Sequence, residues 1–182
     1  YDRLIFDNKE IPTLLNYPDL YDRLIILNGW SKTYAMTGWR LGWSVWPEKL
    51  IDHVFKFCVN THSCVNTPAQ YGAIAALDGP ENHLRDMMKE FNVRRKLIVE
   101  GLRSLKGVEC SLPGGSFFAF PNVKKTGMNG EEFTEISLKE AGVAMIPGTS
   151  FGKNAVHNVR LNFATSRENI SKAIEKIDKI LK

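Results

Sequence analysis

The chain has 182 residues, 43% of them hydrophobic and 24% charged, a balance too apolar for a disordered segment and ordinary for a globular protein. Lys plus Arg number 24 against 20 Asp plus Glu, a net charge of +4, and the densest basic cluster, Arg94-Arg95-Lys96, is too short for a polyanion patch. Neither nucleic acid nor a membrane is an expected partner, because no apolar run approaches the roughly 18 residues of a spanning helix.

In chain order, Tyr1-Asp2-Arg3-Leu4-Ile5-Phe6 reads as a strand or its exit. With no initiator Met and no signal peptide, this start suggests a piece of a longer protein. Residues 24–27 are an apolar run stopped by the turn dipeptide Asn28-Gly29, the pattern of a fully buried strand feeding a loop. Residues 39–46 then alternate, with Leu41, Trp43 and Val45 on one face, and predict a second strand. Pro47 suits the first turn of a helix carrying Leu50, Ile51, Val54, Phe55 and Cys58 at helical spacing. A sharper helix start follows at Thr67-Pro68-Ala69-Gln70, with Thr67 as the expected cap and Gln70 completing a capping box.

From 81 to 105 an apolar stripe of Leu84, Met87, Met88, Phe91, Ile98, Leu102 and Leu105 predicts one helix, on the order of 36 Å long. That length suits a connector between two lobes. Beyond Gly107 the pattern changes to an α+β lobe. Strands are expected at 108–112, 116–121, 143–146 and 158–164. A helix over 131–141 ends at Gly142, and a last one carries Ile170, Ile174, Ile177 and Leu181 on one side. The domain reading is therefore 1–80, a connecting helix over 81–105, and 106–182.

The cysteines, Cys58, Cys64 and Cys110, have no metal-ligand spacing and cannot all pair, which favours a reducing, cytoplasmic compartment and no metal site. Cys58 and Cys64 read as packed thiols. The four histidines share no spacing and read as structural or surface groups.

The segment from Asn28 to Gly42 carries the chemistry. It places Lys32 in a loop after the first predicted strand, with Arg40 eight residues on. A lysine is a good nucleophile only when desolvation or a neighbouring cation favours its neutral form, and the loop offers aromatic neighbours (Trp30, Tyr34, Trp39) as well as Arg40. Arg40 and the Ser31 hydroxyl can clamp a phosphate. A phosphate clamp beside an amine nucleophile suits pyridoxal 5'-phosphate, whose aldehyde forms an imine with lysine. A Lys and an Arg at this separation are usually solvated charges, so the spacing alone is weak.

The string Ser31-Lys32-Thr33-Tyr34-Ala35-Met36-Thr37-Gly38-Trp39-Arg40-Leu41-Gly42 closely resembles the cofactor-lysine motif of the class I/II aminotransferases, aspartate aminotransferase-like enzymes of fold type I. Trp30 departs from the family's usual smaller aliphatic or Phe. Pro113-Gly114-Gly115-Ser116-Phe117-Phe118 is similar to the family's glycine-aromatic strand entry. Pro147-Gly148-Thr149-Ser150-Phe151-Gly152 is similar to its Pro-Gly-x-x-Phe-Gly loop, and Val159-Arg160-Leu161-Asn162-Phe163-Ala164 to its carboxylate-binding strand. The resemblance runs over essentially the whole chain and implies the C-terminal half of such an enzyme. In this reading 1–80 is the remainder of an α/β cofactor-binding domain and 106–182 a small α+β domain.

The resemblance implies amino-group transfer between an amino acid and a 2-oxo acid by a homodimer. Lys32 is the implied catalytic residue. Tyr1, Ser31, Lys32 and Arg40 are implied to hold the cofactor, Arg160 the substrate carboxylate, and Phe118 to line the substrate pocket. Strand alternation independently supports Arg160, since Val159, Leu161 and Phe163 share the opposite, packing face. The family's pyridine-nitrogen aspartate and ring-stacking aromatic lie upstream of Tyr1, so this chain is expected to bind cofactor weakly and not to transaminate alone. Two alternatives stay open: a lyase of the same fold, and an aminotransferase-like sensor domain of a transcription regulator.

Overall fold

Asn28 and Gly29 do not turn the chain. In the computed structural model, which describes residues 1–182, they finish strand β1 (Ile26–Gly29), which pairs antiparallel with β2 (Gly42–Val45), Ile26 opposite Val45 and Gly29 opposite Gly42. The pair forms a sheet of its own. The expected full burial of this strand is corrected: Leu27 is 74% exposed, and Ile25, Trp43 and Val45 also face solvent. A two-stranded ribbon has too little neighbouring structure to cover both faces.

The Cα packing divides the chain into two units: Tyr1–Leu4 with Asn8–Leu84, and Ile5–Asp7 with Arg85–Lys182. In the first, a 3₁₀ turn (Glu48–Leu50) leads into α1 (Ile51–Thr61), and α2 follows (Thr67–Asp78). The cap of α2 is Asn66 rather than Thr67: its side chain accepts from the Ala69 amide, while Gln70 Nε2 donates to the Val65 carbonyl. Asparagine caps at least as well as threonine, so the helix starts one residue earlier than the Thr-Pro signal implies. The core of this unit is small. Met36, Leu41, Ala69 and Ala73 are buried, with Trp30, Tyr34 and Ala76 packed against them. Cys64 is exposed, not packed.

The long apolar stripe forms α3 (Asn82–Ser104). From Arg85 onward α3 belongs to the second unit, where Ile98, Val99 and Leu102 lie in the core. This unit adds β3 (Phe118–Ala119), α4 (Gly130–Ala141), β4 (Ile146–Pro147), β5 (Val159–Asn162) and α5 (Arg167–Ile180). The sheet order is β3-β5-β4, antiparallel throughout, with Phe118 opposite Asn162 and Ile146 opposite Arg160. The strands are shorter than the sequence pattern predicts, and 108–112 contributes only an isolated bridge, Glu109 to Asn122. Pro121 and Pro147 lack the amide a longer ladder needs. Helix α4 carries a full capping box, Asn129 with Glu132, and ends at Gly142 with φ 63°. That is the left-handed stop its glycine predicts. Along α5, Ile170 and Ile177 are buried, with Ile174 and Leu181 packed beside them.

The opening residues are not a strand. Leu4 N–H closes a turn onto the Tyr1 carbonyl, and only Ile5 and Phe6 bridge to Gly115 and Gly114. Asp7 and Asn8 then take φ of 61° and 52°, a region that Asp and Asn tolerate best among non-glycine residues. Asp7 accepts both terminal nitrogens of Arg95, at 3.0 and 2.5 Å, and Arg95 also lies 4.5 Å over the Phe6 ring. Between α3 and α5, Glu90 receives Arg167 and Arg94, and these hydrogen bonds hold its carboxyl down at about 2. No helix is long and apolar enough to cross a membrane.

Candidate functional site

The loop between β1 and β2 is built to hold one lysine. Its ends are clasped by Trp30 N–H donating to the Leu41 carbonyl at 3.4 Å. Gly29 is needed there, because a Cβ would stand 2.9 Å from that same carbonyl. Trp30 Nε1 donates to the Ala73 carbonyl of α2 at 3.2 Å, Tyr34 N–H to Trp30, and Ala35 N–H to Lys32. Thr33 is buried, its hydroxyl on Asp2 Oδ1 at 3.3 Å. Lys32 and Ser31 on either side of this winding are half-buried. Lys32 Nζ lies 6.0 Å from the centroid of the Tyr1 ring, within reach of its negative face.

Arg40 takes φ 55°, is exposed, and donates from Nη1 to the Thr37 carbonyl at 3.0 Å. It borders an open groove together with Gly38, Trp39, Asn66, Pro68 and Ala69. A guanidinium and the first turn of α2 both favour an anion there. Tyr1, Ser31 and Lys32 do not line that groove. The structure therefore brings Lys32 to Tyr1, and places Arg40 on the α2 side of the same loop. In charge and donor type these residues fit a phosphate-bearing aldehyde: an amine beside an aromatic ring, and a cation with donors to spare.

The second unit holds the other sequence-predicted residues. Val159, Leu161 and Phe163 are buried, so Arg160 points to the opposite face of β5. Its Cζ lies 4.3 Å from the Phe118 ring centroid and 4.4 Å from that of Phe151. Two aromatic rings thus lie against the guanidinium, and none of its donors is spent on a hydrogen bond or ion pair within the protein. Beside it a cavity of about 190 Å³ is lined by Phe118, Ala144, Met145, Ile146, Arg160 and Asn162. Sequence reasoning paired Phe118 with the site but assigned Phe151 no role. The only signal for Phe151 is its place in the Pro147–Gly152 loop string. That loop is tight: a Cβ at Gly148 would stand 2.2 Å from the Ala155 carbonyl oxygen.

The comparisons with known proteins bear on the family. The aminotransferase class I and II family model matches residues 1–177. An aspartate aminotransferase of Pyrococcus abyssi is 36% identical over the whole chain, and aromatic-amino-acid aminotransferase 2 of Thermococcus litoralis is 34% identical; the chain covers 47% of each. Among solved structures, the aromatic aminotransferase of Pyrococcus horikoshii superposes with a TM-score of 0.94 at 36% identity, the match covering all of this chain and 49% of that one. The aspartate aminotransferase of Rhizobium meliloti gives 0.93 at 30% identity, covering all of this chain and 48% of that one. The chain thus spans about half the length of the relatives it matches, and with a family match over nearly every residue it belongs to the class I and II aminotransferases.

Proposed function

We propose that this chain is the lysine-bearing, C-terminal half of a pyridoxal 5'-phosphate-dependent aminotransferase that moves an amino group between an amino acid and a 2-oxo acid. The observation that carries the reading is the Lys32 loop, which winds on the buried Thr33 and sets the half-buried Lys32 with its amine beside the Tyr1 ring. On this reading 1–80 is part of the cofactor-binding domain, 81–105 the connecting helix and 106–182 the small domain, and the complete enzyme is a cytoplasmic homodimer.

Pyridoxal phosphate, when bound, supplies an aldehyde for amine exchange and a ring that withdraws electrons from the substrate α-carbon. Lys32 Nζ would hold that aldehyde, and its amine would be the group that takes and returns the substrate α-proton. Arg40, from the α2 side of the loop, and the Ser31 hydroxyl would hold the phosphate by charge-assisted hydrogen bonds. The Tyr1 hydroxyl would donate to the cofactor's ring oxygen. Arg160 receives the substrate carboxylate, and its open donors match a planar two-oxygen group. Phe118 lines that pocket.

Titration of the chain with pyridoxal phosphate, followed by absorbance, tests the lysine. A weak, saturable spectral change that Lys32→Ala removes is expected, without turnover when an amino acid and a 2-oxo acid are added. An unchanged spectral response in Lys32→Ala would overturn the assignment. In the complete enzyme the same substitution abolishes transamination, and product analysis with a 2-oxo acid acceptor separates transfer from lyase chemistry.

A further inference from the structure

We propose that Phe151 is a positioning residue for Arg160, and that the Phe118–Arg160–Phe151 stack presents the guanidinium edge-on to one planar carboxylate. The proposal rests on the reading of Arg160 as the carboxylate-binding group and asks what holds that group in place.

A half-buried guanidinium needs something to offset its lost hydration. An Asp or Glu partner would do so, but it would occupy the donors that a substrate must use. Aromatic faces are the alternative: they attract a cation through the ring quadrupole without accepting its N–H groups in its plane. The structure takes this second course. The Phe118 and Phe151 centroids lie 4.3 and 4.4 Å from Arg160 Cζ. No carboxylate or carbonyl of the chain takes an Arg160 donor. Rings stacked on a guanidinium face leave its N–H edge as the side for a ligand, and that edge matches two carboxylate oxygens.

The two rings are themselves fixed from different directions. Phe118 is in β3, opposite Asn162 of β5, and its ring packs on Phe117 at 4.8 Å. Phe151 stands at the end of the 3₁₀ turn Gly148–Phe151 and meets Phe120 edge to face, 5.9 Å between centroids at 82°. The turn is locked by Gly148 N–H donating to the Asn158 carbonyl at 2.7 Å, just before β5. The ordering of a long, flexible side chain is therefore done before any ligand arrives, which is where preorganisation raises affinity. The remaining walls of the cavity (Ala144, Met145, Ile146 and Asn162) carry no charge, so Arg160 is its one cation.

The test uses the full 182-residue chain, nitrogen-15 labelled, with propionate as the carboxylate probe and propionamide as its neutral counterpart. The Arg160 Nε–Hε signal, identified by its loss in Arg160→Gln, is expected at a ring-shifted position and moves with propionate but not with propionamide. Phe151→Leu and Phe151→Met are expected to weaken propionate binding about fivefold, the equivalent of losing one exposed cation–π contact, and to relax the ring shift. Phe151→Tyr keeps a π face and restores both. Phe151 is 48% exposed, so a merely structural role would instead appear in the backbone amide spectrum and not be rescued selectively by an aromatic residue. If Arg160→Gln abolishes propionate binding while Phe151→Leu leaves affinity and ring shift unchanged, the positioning role is wrong. If Arg160→Gln leaves propionate binding intact, the carboxylate assignment of Arg160 itself is wrong, whatever Phe151 does.

Discussion

Asp7 and Arg95 form an ion pair whose two halves are unequal, and their removal should show it. Arg95 is 1% exposed and Asp7 50% exposed. Asp7→Asn leaves a buried guanidinium with the Asn92 side-chain oxygen at 3.1 Å and the Phe6 ring as its main remaining partners. Orphaning a buried charge costs about 3–5 kcal/mol. The asparagine oxygen returns about 1 kcal/mol as a neutral acceptor, which leaves about 2–4 kcal/mol, and Asn tolerates the positive φ of 61° at this position.

Arg95→Met is the opposite case. The half-exposed Asp7 carboxylate stays hydrated, the methionine fills much of the buried stem's volume, and the loss is mainly the ring contact, about 1–2 kcal/mol. Urea unfolding followed by circular dichroism reads the difference. With a slope of about 2 kcal/mol per molar, Asp7→Asn lowers the midpoint by about 1–2 M and Arg95→Met by about half as much. The double variant should fall near Arg95→Met alone, because the neutral pair has no orphan. A larger loss for Arg95→Met than for Asp7→Asn would refute the argument that the buried partner's hydration decides the cost.

Gly148→Ala is expected to cost about 3 kcal/mol, because its Cβ meets two backbone oxygens, of Ala155 and Asn158, at 2.2 and 2.7 Å and neither can rotate away. Thermal unfolding measures the loss, and a neutral result would show the Gly148 turn to be compliant. Glu90 contributes to acid stability with a defined sign. Its carboxyl is held at about 2 by Arg167 and Arg94, below the ordinary 4.5, so its contribution is complete above about pH 4.5 and is lost as pH falls toward 2. Glu90→Gln should therefore lower the urea midpoint at pH 7 and match the parent chain near pH 2; a constant difference across that range would rule out the ion pairs as the cause.

The motif behind the proposed chemistry is local in the chain and therefore readable from it. Twelve contiguous residues, Ser31 to Gly42, specify a loop with its lysine, arginine and glycines, and no long-range fold is needed to recognise the string. Arg160 was legible for a different reason: strand alternation puts it opposite Val159, Leu161 and Phe163, and those three are buried. Gly142 predicted its own helix stop, since few other residues take φ 63° cheaply.

Pairings between distant residues were not legible. Asp7 and Arg95 lie 88 positions apart and meet through a turn at Asp7 and Asn8 that no periodicity announces. Phe151 reaches Arg160 because the Gly148 turn and the β4–β5 register bring it there, while its spacing of nine residues from Arg160 carries no such information. Leu27 illustrates the converse error. Its neighbours' apolar character implied burial, but the partner surface determines burial, and β1 has only β2 beside it. Local backbone preference and side-chain period are properties of a few adjacent residues. Which ring covers which cation, and which apolar face is covered at all, depends on surfaces brought together from far along the chain.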